Sequence, residues 1–496
     1  MTHVTIRNVD VDFPFTPYQC QEDYMNHVIK SLQLKQNAIL ESPTGTGKTL
    51  CLLCSVLAWR LTYIAKKQLS GISGHSTVGG LNEAVGLDTD TPVEAFSAIP
   101  KIIYASRTHS QISQVVNELK STIYKPKVSV IGSREQLCLH PKVMNIENSM
   151  AKIHTCRAKV KERSCVHYSN VEKKIQDSAF NAILDIEELI NISKEKTMCP
   201  YFSSRELLKQ ADIIFMPYNY LIDSKLRKTQ SISLENAIVI FDEAHNIEKV
   251  CEESYSFEIT SSDIANCIEN CQLTLQRIIE DGSDNDSSLD NKELTKEDVL
   301  TMKAIFLSLE REFNKIEVKG QGNIIEKSTF KDLLTSINVN YETKGLITEV
   351  LQKMEAVLSM STKNKLVGNT FVVLNNFMQI LDITLEQNET SQRTYICYVS
   401  KERIDKKGPK GWVDKNIESI APRFVTKLSY WCFSPGIAMQ DFIRQGVYSI
   451  ILTSGTLSPL TSFSSELKIP FPITLQNPHV IDASQISVQV IVRGYS

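Results

Sequence analysis

Short apolar runs punctuate the chain at residues 38–40, 102–105, 128–131, 213–216, 238–241 and 450–452. Each is too short for a helix and, Ser129 aside, is apolar at successive positions, which is the pattern of a strand buried on both faces. Between several of them the period changes to that of a helix. After Ser110, for example, Ile112, Val115, Val116 and Leu119 fall at i, i+3, i+4 and i+7. Buried strands alternating with helices predict an α/β fold built on a parallel sheet, with ligands at the carboxyl ends of the strands. The alternation is interrupted. Residues 68–98 are rich in Gly, Ser and Thr with little apolar periodicity, and predict a long surface insertion. From about 250 to 420 the pattern predicts mainly helix. Ile264, Ile268, Cys271, Leu275 and Ile279 make one stripe there, and residues 299–316 and 346–360 are further amphipathic stretches. The acidic stretch 279–298 between them predicts a disordered loop.

The strands end in residues that can do chemistry. The first is followed by Ser42-Pro43-Thr44-Gly45-Thr46-Gly47-Lys48-Thr49 and then by an apolar helix. In a strand–loop–helix context this is a phosphate-binding loop. Gly45 and Gly47 let the backbone turn its N–H groups toward phosphate oxygens, Lys48 brings a charge to the β- and γ-phosphates, and Thr49 offers a hydroxyl to Mg²⁺. The strict pattern has glycine where this chain has Ser42. The run 238–241 ends in Asp242-Glu243-Ala244-His245. Asp242 is expected to hold Mg²⁺, Glu243 to orient and deprotonate the attacking water, and His245 to lie near the γ-phosphate. Arg107, Thr108 and His109 follow another strand and open a helix, a setting suited to a nucleic-acid backbone. Ser454 and Thr456, after the run 450–452, are placed to couple the nucleotide and nucleic-acid sites. Upstream, Tyr18 and Gln21 offer an aromatic face and an amide to adenine.

At 496 residues the chain exceeds one hydrophobic core, so about two to four domains are expected. Its net charge of −3 gives no global attraction to nucleic acid. A local basic stretch, Lys152, Arg157, Lys159, Lys161 and Arg163, can still meet a phosphate backbone. No run of about 18 apolar residues occurs, so no transmembrane helix and no membrane partner is expected. The first residues are polar and mixed, without a signal-peptide pattern. The 12 cysteines are then expected in a reducing compartment, as core residues, metal ligands or nucleophiles.

Cys138, Cys156, Cys165 and Cys199 lie between the phosphate loop and the acidic pair, with no Cys-x-x-Cys spacing among them. That argues against a zinc ribbon. An iron–sulfur cluster, a mixed zinc site drawing on His140, His154 or His167, and unligated thiols all remain compatible with the spacing. Cys51 and Cys54, among leucines in the helix after the phosphate loop, and Cys267 with Cys271 read as core.

Taken together, these blocks resemble the XPD-type superfamily 2 DNA helicases, in their telomere-helicase branch. Three stretches carry the likeness besides the phosphate loop and the acidic pair. They are Ile102-Ile103-Tyr104-Ala105-Ser106-Arg107-Thr108-His109-Ser110-Gln111, Gly132-Ser133-Arg134-Glu135-Gln136-Leu137-Cys138 and Ile213-Ile214-Phe215-Met216-Pro217-Tyr218-Asn219-Tyr220. The resemblance implies a RecA-like motor sheet at 1–137, 200–247 and 423–465, a 4Fe–4S domain at 138–199 ligated by Cys138, Cys156, Cys165 and Cys199, and a helical arch at 248–422. It also implies adenine recognition by Gln21, 5′-to-3′ translocation on single-stranded DNA, junction DNA as substrate, a nuclear location, and roles in telomere maintenance, DNA repair and restraint of recombination. The family continues into a second motor domain that supplies an arginine finger, and residues 466–496 are expected to be only its beginning. A chain that binds ATP and DNA without effective unwinding is therefore one alternative. A phosphate-loop ATPase switch with a structural zinc domain is another.

Overall fold

The computed structural model of the chain describes residues 1–73, 99–146, 149–281, 294–326, 329–359, 367–385, 394–403, 424–478, 483–485 and 487. The chain divides into two compact units. Met1–Leu137, His167–Val250 and Pro435–Ser496 make the first; Cys138–Val166 and Cys251–Ser434 make the second.

In the first unit, β1 (Thr2–Ile6) and β2 (Val9–Phe13) form an antiparallel hairpin. Three helices matter for the site: α1 (Gln19–Leu34), α2 (Lys48–Ser73) and α3 (His109–Lys120). The sheet comprises β3 (Ala38–Glu41), β4 (Lys101–Ser106), β5 (Val128–Val130), β6 (Ile213–Pro217), β7 (Ala237–Asp242), β12 (Ser449–Ser454) and β13 (Ile473–Gln476). Its order is β13-β3-β12-β7-β4-β6-β5 and every pairing is parallel. β6, β7 and β12 are buried at every position. That two-sided burial is why the sequence shows unbroken apolar runs there rather than alternation. β13 lies at the sheet edge with Thr474 and Gln476 exposed, and is too polar to stand out in the sequence.

α2 continues through residues 68–73, which the sequence pattern assigns to the insertion; residues 74–98 lie outside the described residues. By length and composition Lys48–Leu69 is apolar enough to cross a bilayer, contrary to the sequence expectation. Its apolarity has a different cause. Cys51, Leu52, Leu53, Cys54, Val56, Leu57, Ala58 and Trp59 belong to the hydrophobic core of the motor unit, where α2 packs on α1 and β2. Burial pushes the Cys54 thiol up to about 12, so it stays protonated and serves as a small apolar filler.

The second unit contains the expected helices, Ser261–Asp281, Lys296–Phe313 and Tyr341–Ser359, together with Val367–Leu385. It is not purely helical. β8 (Phe257–Thr260), β9 (Gly322–Ile325), β10 (Tyr395–Arg403) and β11 (Phe424–Cys432) form an antiparallel sheet in the order β8-β11-β10-β9. Tyr395, Cys397 and Val399 alternate buried with half-buried Ile396 and Tyr398, a period-2 pattern spread over too few residues to override the helical neighbours. The stripe on Ser261–Asp281 is also displaced. Ile264, Cys267, Asn270, Cys271 and Thr274 are buried, whereas Ile279 is exposed. The buried Thr274 hydroxyl is satisfied locally, donating to the Asn270 backbone carbonyl at 2.8 Å. Of the acidic stretch, residues 282–293 lie outside the described residues, and Thr295 caps the next helix.

Candidate nucleotide site

The loop after β3 wraps as its composition predicts. Gly45 and Gly47 take φ values of +82° and +70°, open to glycine at low cost. At Gly47 a Cβ would also stand 2.9 Å from Gln21 Nε2. The missing side chain is what lets Gln21 reach across and donate to the Thr46 carbonyl at 3.0 Å. Ser42, Thr46 and Lys48 are buried, Thr49 and Pro43 are half-buried, and Thr44, Gly45 and Gly47 are exposed at the mouth. The Ser42 and Thr46 hydroxyls meet at 2.9 Å, and Thr46 donates to the Pro43 carbonyl at 2.8 Å. Lys48 Nζ reaches the same carbonyl at 3.3 Å. Gln21 Oε1 accepts the Tyr18 backbone N–H at 2.9 Å, which fixes the amide at the start of α1 next to Tyr18, an exposed residue.

β7 and β12 are neighbours in the sheet, so their ends bring the acidic pair and the hydroxyl turn together. The Ser454 hydroxyl donates to Glu243 Oε2 at 3.1 Å and lies 3.0 Å from His245 Nδ1; that nitrogen is 3.2 Å from Glu243 Oε2. Glu243 sits at φ +56°, a left-handed conformation uncommon for a non-glycine residue and often kept at functional sites. The Ser454 carbonyl accepts the Ser42 N–H at 3.1 Å, and Gly455 packs against Thr44. The turn after β12 is thus fastened to the phosphate loop. Thr456 is exposed beyond it.

Asp242 is 7% exposed. Its Oδ2 accepts the Tyr104 hydroxyl at 2.7 Å, its Oδ1 accepts the Glu243 N–H at 3.0 Å, and its carbonyl accepts the Tyr218 hydroxyl. Burial raises its carboxyl above the ordinary value, against the lowering effect of the Tyr104 hydrogen bond, while the Glu243 charge raises it further. Burial likewise lowers the Lys48 ammonium, with Glu243 and Asp242 acting the other way. A buried cation beside a carboxylate destabilised by desolvation is a site that gains from a bound metal–phosphate pair.

Tyr104, Tyr218 and Tyr24, whose hydroxyl donates to Thr453 Oγ1 at 2.6 Å, are functional neighbours that motif reading missed. The available signal was a tyrosine inside an apolar run, since a buried phenol needs a partner.

Arg107 and Thr108 are exposed at the end of β4 and His109 is half-buried. Thr108 caps α3 by accepting the Gln111 N–H, and Gln111 Oε1 in turn accepts the Thr108 N–H at 3.1 Å. His109 Nδ1 has no hydrogen-bond partner among the described residues, and burial lowers its pKa. Cys138, Cys156 and Cys165 are buried in the second unit, Cys156 within the helix Ser149–Lys161. Cys199 is buried in the first unit, where it caps the helix Pro200–Gln210 and its N–H donates to the His167 carbonyl at 3.0 Å. Among the described residues no group of three or more His, Cys, Asp or Glu side chains is gathered as a metal site.

Two family models match the chain in tandem. One described as DEAD_2 covers residues 104–264, from β4 through the acidic pair, and one described as the RTEL1 helicase ARCH domain covers residues 266–435. With this sheet and these strand-end motifs, the chain belongs to the XPD-type superfamily 2 helicases. Among curated proteins it is similar to regulator of telomere elongation helicase 1. The mouse protein (Mus musculus) is 42% identical over 530 residues, covering 100% of this chain and 43% of that protein. The human protein (Homo sapiens) is 41% identical over 528 residues, covering 100% and 43%. The Aedes aegypti homolog is 37% identical over 536 residues, covering 100% and 52%. The chain therefore spans about half the length or less of these relatives. A solved structure titled XPD_Helicase aligns over 93% of this chain and 62% of that one, at 16% identity and a TM-score of 0.49.

Proposed function

We propose that this chain is the ATP-binding motor portion of a DNA helicase that couples hydrolysis to 5′-to-3′ movement on single-stranded DNA and to unwinding at junctions. Its role is in telomere maintenance, DNA repair and restraint of homologous recombination in the nucleus. The observation that carries the reading is the meeting of Glu243, His245 and Ser454 across the ends of β7 and β12, with Ser454 bonded in turn to the phosphate loop. In this reading residues 42–49 hold the triphosphate and Gln21 the adenine. Thr49 and Asp242 hold Mg²⁺, and Glu243 takes the proton of the attacking water. Arg107, Thr108 and His109 contact the DNA backbone, and Ser454 with Thr456 transmits the state of the nucleotide. The match over 266–435 supports an arch that extends beyond the expected 248–422 to take in β11. The motor is assigned 1–137, 200–247 and 435–476 rather than 423–465, because β11 pairs within the second unit's sheet and β13 joins the motor sheet beside β3; a second motor domain would begin after β13 and not at 466.

The test is DNA-stimulated ATP hydrolysis and strand separation by the full-length protein. Ser454→Ala removes the hydroxyl shared by Glu243 and His245. It is expected to reduce stimulation by single-stranded DNA about 10-fold while nucleotide affinity is kept. Equal stimulation in the variant would take Ser454 out of the coupling path.

The same reading assigns Cys138, Cys156, Cys165 and Cys199 to a 4Fe–4S cluster. Its support is the chemistry of the donor set, four buried thiols, together with the family. When bound, such a cluster would cross-link four points of the chain. Protein purified without oxygen is expected to be brown with about four irons per chain, and Cys165→Ser to lose that iron. Stoichiometric zinc with no iron would overturn the assignment.

A further inference from the structure

Asn477 follows β13 directly and is 7% exposed. Its polar groups are turned onto the nucleotide loops. The backbone N–H donates to the Glu41 carbonyl at 2.9 Å; Nδ2 donates to the Cys20 carbonyl at 2.9 Å and approaches Ser42 Oγ at 3.3 Å. A hydroxyl has a single hydrogen to give, and this sets the direction of the bonds. Thr46 gives its hydrogen to the Pro43 carbonyl, so Ser42 donates to Thr46 and accepts from Asn477. The Thr46 carbonyl then accepts Gln21 Nε2, and Gln21 is the neighbour of Cys20. The bonds close a ring through Asn477, Ser42, Thr46, Gln21 and Cys20.

We infer that Asn477 is a positioning residue for base selection: it fastens the first turn of α1, which carries Gln21, to the phosphate loop, so that base and phosphates are gripped by one frame. The inference rests on the reading that residues 42–49 hold the phosphates and Gln21 the adenine. A fixed amide can accept from adenine N6 and donate to N7, whereas guanine presents an acceptor where adenine has a donor. Discrimination needs the amide held still, because a mobile one swings away from the mismatch. The ring also explains Ser42 at a position where the general phosphate-loop pattern has glycine. Its hydroxyl is the link between Asn477 and Thr46.

The experiment measures ATP and GTP binding to the full chain by displacement of a fluorescent ADP analogue, with unfolding midpoints alongside. The unsubstituted chain is expected to favour ATP over GTP by roughly 10–100-fold. Asn477→Ala and Ser42→Gly are each expected to cut that ratio about 10-fold by weakening ATP and sparing GTP. Neither should reduce it further in a Gln21→Ala background, because all three substitutions break one ring. Unchanged ratios in both variants, or equal weakening of ATP and GTP, would overturn the inference and leave Asn477 a structural contact. A ratio unmoved by Gln21→Ala would overturn the base-recognition reading itself, and the inference with it. Should Asn477→Ala not fold, Ser42→Gly decides, since glycine is native to this position in the general pattern.

Discussion

Replacing Lys48 by alanine is expected to reduce ATP turnover of the full-length protein by about 1000-fold. Lys48 opens α2 at 9% exposure, and its hydrogen bond among the described residues is a 3.3 Å contact to the Pro43 carbonyl, a neutral acceptor. Burial already lowers its pKa, so the ammonium carries a desolvation cost that a phosphate oxygen would offset more fully than that carbonyl does. Alanine removes the charge without disturbing the α2 residues buried in the core. The loss should therefore appear in phosphate release at saturating ATP, with the unfolding midpoint unchanged. Turnover near that of the unsubstituted protein would remove Lys48 from the site.

Glu243→Gln is expected to lower turnover to a similar degree, roughly 1000-fold, by a different route. Glutamine keeps the shape and an oxygen to accept the Ser454 hydroxyl, so the contacts at 3.1 Å and 3.2 Å can persist. It cannot take a proton. ATP affinity should be retained or increased while hydrolysis is lost, a split visible by comparing equilibrium nucleotide binding with phosphate release. Loss of binding in step with hydrolysis would mean that Glu243 shapes the loop and is not the base. The left-handed φ of +56° makes this comparison sharp, because both side chains bear the same backbone strain.

The strands that form the middle of the motor sheet were legible because burial on two faces leaves no polar position. β6, β7 and β12 announce themselves in any short window. The sheet β8–β11 was not, since its strands are half-buried and β8, β9 and β10 are separated by helices whose period dominates. Within the site, contiguous motifs were legible for the same local reason: strand, loop and helix are consecutive in sequence. The groups that hold those motifs were not. Tyr104 reaches Asp242 across 138 residues, Tyr24 reaches Thr453 across 429, and Asn477 reaches Ser42 across 435. A single polar residue whose partner is so distant leaves no periodic trace, and only the closed sheet pairs them.

The strand order has a consequence for biosynthesis. β3, which ends in the phosphate loop, has two neighbours, β12 and β13, and both lie far downstream of it, at 449–454 and 473–476. While the ribosome makes residues 42–448, β3 has no native ladder to join, and closing a segment of that length costs on the order of 5 kcal/mol in chain entropy. The strand that leads into the ATP-binding loop thus waits for residues 449–476 before it has neighbours. Over the synthesis of residues 42–448 an emerging chain exposes β3 as an unpaired apolar edge, the condition under which nascent proteins recruit chaperones. Nucleotide cannot assist until β12 and β13 arrive.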